Sequence, residues 1–265
     1  MPADDAPASR SAVAARLRAA GCVYAEEEAD LLISAAPTPA DLAGLVERRA
    51  AGQPLEHVLG WAEFRGLRIA VDPAVFVPRR RTEFLAGQAI ALARPGAVVV
   101  DLCCGSGALG AALAAAVDGA EVHAADIDPA AVRCARRNLA AGDRVYQGDL
   151  YEPLPAALRG RVDILLANVP YVPTGEVGLL PPEARDFEAR VALDGGSDGL
   201  GVLRRVAAGA PEWLAPGGHL LSEVSERQVA AGTGAATRAG LTARVDRSEE
   251  HGATVLIATR PSPRA

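Results

Sequence analysis

The sequence predicts an α/β fold: a mostly parallel sheet with helices on both faces, preceded by a small helical appendage. Three observations carry this. From Val98 onward, short apolar runs rich in β-branched residues alternate with segments of helical period, the pattern of strands joined by crossover helices. The first 60 residues carry helical periodicity alone. The full length of 265 residues suits one large domain with an appendage.

The elements come in order. Residues 11–20 form a short amphipathic run that Gly21 ends, and residues 26–34 keep Ala29, Leu32 and Ile33 on one side. Thr38 caps the next helix, with Pro39 at its first position and Asp41 in its first turn; Gly52 stops it. Three short helices bury too little to stand alone, so they pack on the larger domain. Residues 64–71 alternate apolar and polar, Asp72-Pro73 interrupts, and Val75-Phe76-Val77 resumes, which predicts a hairpin turning at the Asp-Pro pair. Thr82 and Glu83 open a helix that Pro95-Gly96 closes. Strands are then expected at 98–100, 122–125, 145–146, 162–166, 220–224 and 255–258. Leu109, Leu113 and Val117 mark the helix after the first, and Val132, Ala135 and Leu139 the helix after the second. Residues 172–201 are rich in Pro, Gly and acids, and a segment that long reads as a lid contacting substrate.

Composition narrows the function. Half the residues are hydrophobic and 23% are charged, as in a globular protein. All 27 basic residues are Arg, so lysine Schiff bases, a pyridoxal anchor and a P-loop lysine are excluded. The net charge of −6 makes nucleic acid a poor partner. No apolar run has the roughly 18 residues of a membrane span, and the acidic start lacks a secretory pattern. Cys22, Cys103, Cys104 and Cys134 form no metal or disulfide framework, and His57, His123, His219 and His251 are scattered. These features suggest a cytoplasmic protein without a metal. A monomer is expected, since no coiled-coil pattern appears.

Ligands of open α/β sheets sit beyond the carboxyl ends of the strands. Asp101-Leu102-Cys103-Cys104-Gly105-Ser106-Gly107 follows the first strand, Asp126-Ile127-Asp128 the second, Gly148-Asp149-Leu150 the third and Asn168-Val169-Pro170-Tyr171 the fourth. Gly105, Gly107 and Gly110 satisfy the dinucleotide spacing, which keeps an NAD-dependent oxidoreductase as an alternative. Yet Asp101 precedes the loop, and a carboxylate suits a cationic ligand better than a pyrophosphate. S-adenosylmethionine is cationic and carries no phosphate. Asp101 can hold its amino-acid end through water or the loop backbone. Asp126 can accept from its ribose hydroxyls, and Asp149 from its adenine amine while Leu150 packs on the ring. A single Asp would more simply be a cap; three at successive strand ends favour a ligand. Cys103 and Cys104 read as small side chains filling small space, not as nucleophiles.

At the fourth turn, the Asn168 side-chain oxygen and the Val169 carbonyl can grip the two hydrogens of a planar –NH2 group, with Tyr171 covering it. Bonds that favour a pyramidal nitrogen strengthen toward the transition state, and alignment supplies much of the rest.

From about Gly52 to Thr259 the pattern resembles the protein N5-glutamine methyltransferases, which modify bacterial peptide-chain release factors. Gln53-Pro54-Leu55-Glu56-His57-Val58-Leu59-Gly60 is similar to the family's joining segment. Phe64-Arg65-Gly66-Leu67 with Val77-Pro78-Arg79 and Thr82-Glu83 resembles its F-x-G-L … I-P-R-P-x-T-E stretch. The Asp101–Gly107 loop resembles D-L-G-T-G-S-G, and Ala192-Leu193-Asp194-Gly195-Gly196-Ser197-Asp198-Gly199-Leu200 resembles A-L-x-G-G-x-D-G-L. Three departures matter: Val169 stands for the first Pro of Asn-Pro-Pro-Tyr, Arg80 for a Pro, and Cys103 for the first Gly of the loop.

The resemblance implies a class I, Rossmann-like methyltransferase with a seven-stranded, mostly parallel sheet. It implies S-adenosylmethionine as donor and a glutamine amide in a protein, such as a release factor, as acceptor. On this reading residues 1–60 dock substrate, 61–80 form the linking hairpin and 81–265 the methyltransferase domain. Asp101, Cys103, Cys104, Gly105, Ser106, Gly107, Asp126, Ile127, Asp149, Leu150 and Asn168 contact the cofactor. Asn168, Val169, Pro170 and Tyr171 act on the amide, and Arg79, Thr82, Glu83 and Tyr171 meet the substrate. Methylation of another peptide, a small molecule or a nucleobase amine is the alternative, as is a non-catalytic cofactor-binding subunit.

Overall fold

A computed structural model describes residues 9–262. Four helices come first: α1 (Arg10–Ala19), α2 (Ala25–Ala35), α3 (Pro39–Ala50) and α4 (Leu55–Leu59). They share a small core of Val13, Leu17, Ala29, Leu32, Leu42, Val46 and Val58. The Thr38 hydroxyl accepts from the Asp41 N–H at 3.2 Å, the cap the sequence predicted. Helix α4 has no counterpart among the expected elements, since five residues carry too little periodicity.

The hairpin is β1 (Trp61–Phe64) with β2 (Leu67–Ala70), and it turns earlier than expected. Phe64 pairs with Leu67, so Arg65-Gly66 is a two-residue loop. Both residues have positive φ, 50° and 73°, as a type I′ turn requires. The alternation over 64–71 therefore belongs to two paired strands. The Asp72-Pro73 break marks the hairpin's exit, and residues 75–78 run on outside any strand.

The main sheet contains β3 (Val98–Leu102), β4 (Glu121–Asp126), β5 (Val145–Gln147), β6 (Val162–Ala167), β7 (Leu214–Glu223), β8 (Thr242–Ser248) and β9 (Ala253–Thr259). Its order is β5-β4-β3-β6-β7-β9-β8. The first five strands of that order pair in parallel, and β9 runs antiparallel between β7 and β8. All five residues of β3 are buried, as expected of a parallel strand covered on both faces. Strand β8 lacks a sequence signal because Arg244, Asp246 and Arg247 break its apolar pattern; it is an edge strand, where charge is tolerated.

Helices α5 (Thr82–Leu92) and α6 (Ala108–Ala116) pack on one face, together with α7 (Pro129–Asn138). On the other face lie α9 (Gly201–Trp213) and α10 (Val229–Arg238). The stretch after β6 is an ordered strap containing α8 (Pro182–Phe187) and short 3-10 turns. It pairs at Ala74 with Glu188 and at Val172 with Asp194. Among the described residues no helix is long and apolar enough to cross a membrane.

Candidate active site

The polar turns at the carboxyl ends of β3, β4, β6 and the segment after β5 converge on one cleft. Cys103, Cys104, Gly105, Ser106, Asp126, Ile127, Asp149, Leu150, Asn168 and Pro170 line it, together with Arg79 and Thr82. Phe76 and the strap residues Ala189 and Val191 complete the wall. Asp101, Gly107, Val169, Tyr171 and Glu83 stand off it.

The loop after β3 explains its own composition. Cys103 and Gly105 take positive φ of 54° and 55°, a conformation that disfavours a side chain at the first and suits the second. Gly107 also has positive φ, and a Cβ there would lie 3.1 Å from that of Ala135; this glycine thus permits close packing of α6 on α7. Asp101 lies fully buried under the loop and accepts from the Gly110 N–H at 3.0 Å through Oδ2. Its Oδ1 is buried without a partner. Burial pushes this carboxyl up to about 7. Asp101 therefore does not itself line the cleft.

Asp126 closes β4. Its Oδ2 accepts from the Gly105 N–H and its Oδ1 from the Asp128 N–H, both at 2.9 Å. One carboxylate fastens two turns to each other, and each oxygen keeps a lone pair for a hydroxyl in the cleft. Burial raises its proton affinity. Beside it Ile127 is half exposed although large and apolar, a surface suited to a planar ring. Asp149 pairs with Arg205 of α9 at 2.6 Å. No local signal marks Arg205, because 56 residues separate the partners. Burial pushes the Cys103 and Cys104 thiols well up, so neither is a thiolate nucleophile.

Asn168 follows the last residue of β6. Its Oδ1 is buried and has no hydrogen-bond partner. A buried acceptor of this kind costs about 1–3 kcal/mol unless something donates to it. Tyr171 does not cover the cleft. Its hydroxyl donates to Glu223 Oε1 at 3.1 Å and receives a bond from Arg81, while the residue lines a second cavity. A charged pair on neighbouring elements outcompetes an exposed position over the pocket. Glu83 sits in the first turn of α5 and accepts from the Arg65 N–H at 3.4 Å.

The strap has a defined role in the walls. Glu188 is buried, and its Oε1 accepts from the Val77 N–H at 3.1 Å and Arg79 at 2.6 Å. The Ala189 N–H donates to the Ala74 carbonyl at 3.0 Å. These bonds hold residues 74–79 over the glycine loop, where Phe76 Cβ lies 4.0 Å from the place of a Gly105 Cβ.

Comparison with known proteins agrees with this geometry. A family model of the methyltransferase small domain matches residues 69–179. A release factor glutamine methyltransferase of Geobacter sulfurreducens is 42% identical over 200 residues, which cover 74% of this chain and 69% of that protein. A 4-amino-L-phenylalanine/4-methylamino-L-phenylalanine methyltransferase of Streptomyces pristinaespiralis is 38% identical over 222 residues, 81% of this chain and 75% of that protein. A methyltransferase crystal structure from Pyrococcus furiosus shares the fold, with a TM-score of 0.56 over 74% of this chain and 90% of that one at 17% identity. The parallel sheet, the acid-edged cleft and these identities lead to one conclusion: the chain belongs to the release factor glutamine methyltransferase family, and its methyl donor is S-adenosylmethionine.

Proposed function

We propose that this protein methylates the side-chain amide nitrogen of a glutamine in a peptide-chain release factor. The observation that carries the reading is the Asn168 Oδ1 atom, buried, unpartnered and part of a residue that lines the cleft. Only an incoming donor can satisfy it, and an acceptor –NH2 is such a donor.

The cleft suits the donor molecule by the chemistry of its walls. Asp126 and Asp149 accept from hydroxyl and amine groups, and Ile127 and Leu150 offer apolar surface to the base. A pyrophosphate would meet two carboxylates there, which disfavours the NAD reading. When bound, S-adenosylmethionine supplies an electrophilic methyl group on a sulfonium. Asn168 Oδ1 accepts from the acceptor –NH2 and so orients its nitrogen within the cleft. Holding it in this way favours the pyramidal nitrogen of the transition state over the planar amide. No strong base is needed, because the nitrogen becomes acidic as it is alkylated.

On this reading the four N-terminal helices dock the protein substrate. The strap closes the acceptor side, and Arg79 and Thr82 meet the substrate. The protein acts as a monomer in the cytoplasm; its four cysteines are unpaired, which supports a reducing compartment.

A second reading, methylation of an aromatic amine on a free amino acid, is favoured by the Streptomyces pristinaespiralis relative. Incubation of the purified protein and S-adenosylmethionine with either a release factor or 4-amino-L-phenylalanine decides between them. Mass spectrometry should show one added methyl on a release-factor glutamine. Methyl transfer to the aryl amine alone would replace the protein-substrate reading with the second.

A further inference from the structure

Asn168 keeps its side-chain oxygen free because the bonds that fix this turn are made by its flanks. Before it, the Ala167 carbonyl accepts from the Ser222 hydroxyl at 2.6 Å. After it, the Tyr171 carbonyl accepts from Gln228 Nε2 at 2.8 Å, and the Tyr171 hydroxyl is held by Glu223. All three anchors come from the end of β7 and the turn after it. That turn is itself closed by a capping box between Ser225 and Gln228.

Glu223 has more than one task. It is 4% exposed and collects donors from three places: Tyr171, Arg81 Nε at 2.8 Å and Thr82 Oγ1 at 2.9 Å. Thr82 lines the same cleft as Asn168. One carboxylate thus links the turn that carries Asn168 to the start of α5, which also borders the cleft. An amide in its place would lose the charge that pairs with Arg81 and reverse the bond to the Thr82 hydroxyl, loosening the contact. Gln228 is complementary, giving its N–H2 to the Tyr171 and Asp198 carbonyls, the second at 3.3 Å.

We propose that Glu223 and Gln228 are positioning residues that set the orientation of the Asn168 amide grip, acting through Tyr171 and Thr82 without touching donor or acceptor. Neither residue belongs to the motifs through which the sequence announces the site. The proposal rests on the amide-grip reading for its effect on turnover. Its structural half stands independently of the acceptor.

The test uses the full-length Glu223→Gln and Gln228→Ala proteins, the second serving should the first fail to fold. Hydrogen exchange by mass spectrometry reads the peptide spanning residues 167–173. Calorimetry reads S-adenosylhomocysteine binding, and steady-state kinetics reads methyl transfer to the acceptor that the wild type uses. Exchange in 167–173 should rise at least about tenfold, with β3 and β4 unchanged. The kcat should fall about tenfold while the S-adenosylhomocysteine Kd stays within about twofold, as expected when alignment alone is lost. Wild-type exchange in that peptide, or a Kd that weakens in step with kcat, overturns the proposal. A wild type that methylates no amide overturns the functional reading, and the exchange measurement still judges the brace.

Discussion

Arg49 of α3 donates to the Glu183 carboxylate of α8 at 2.6 Å, across 134 positions of sequence. The same guanidinium donates through Nε to Glu28 of α2 at 2.5 Å. Arg49 and Glu28 are both buried, whereas the Glu183 side chain is half exposed. One arginine therefore ties two N-terminal helices to the strap that walls the cleft.

Arg49→Ala leaves Glu28 buried without its counter-charge. Stability should fall by about 3 kcal/mol, the usual cost of orphaning a buried charge. Glu183→Gln, at the exposed end, should cost under about 1 kcal/mol. Urea denaturation followed by circular dichroism measures both; equal midpoints for the two variants would show that the buried pair carries no weight.

Asn168→Ala removes the unpartnered acceptor and nothing that supports the loop after β3. Methyl transfer should drop by about a hundredfold or more, the scale for losing one transition-state hydrogen bond, with S-adenosylhomocysteine affinity nearly intact. Asp126→Ala should act on the cofactor first, weakening its binding by about 2 kcal/mol, the order of a charged hydrogen bond. Single-turnover rates and calorimetry on the same preparations separate the effects. Wild-type turnover in Asn168→Ala would end the amide-grip account.

Asp101 gives a pH signature. Its folded-state pKa of about 7 lies above the usual 3.8 because burial disfavours the anion. The folded state therefore binds the proton more tightly than the unfolded chain does. This contribution to stability is complete below about pH 4 and is lost as pH rises to about 7. Asp101→Asn keeps an acceptor for the Gly110 N–H and should flatten the stability slope across that window. Thermal melts from about pH 4 to about pH 8 test this; an unchanged slope in the variant assigns the titration elsewhere.

Gly199 has φ of 75°, and a Cβ there would collide with the Tyr171 carbonyl oxygen and lie 2.5 Å from Gln228 Nε2. Gly199→Ala should cost about 2 kcal/mol or more from strain at a left-handed position and overpacking. It should also disturb turnover more than cofactor affinity, since the displaced atoms adjoin the Asn168 turn. Chemical denaturation and kinetics on the variant check both, and a fully stable, fully active Gly199→Ala would contradict them.

The strand-turn-helix rhythm makes the site's donor half legible. Asp126, Asp149 and Asn168 each come after an apolar run, and strand ends of a parallel sheet share one edge, so their meeting follows from local pattern alone. The acceptor half is less legible. Tyr171 sits near Asn168 in sequence, yet Glu223 and Arg81 draw its hydroxyl away. The hairpin turn falls away from its expected place because Arg65-Gly66 lacks the Asn or Asp that usually announces such a loop. Arg205, Glu188 and Glu223 carry no local mark.

By itself the sequence determined the α/β class, the capped helix at Thr38, the acid-edged turns and the family to which they point. These are properties of periodicity and of residues a few positions apart, where one chain segment dictates its own conformation. Only the tertiary structure decided which side chains face the cleft, where Tyr171 turns, and how the strap and the N-terminal helices are fastened. Those outcomes depend on charges and donors brought together from about 50 to more than 100 residues away, and a buried carboxylate chooses its partners only once the sheet has placed them within reach.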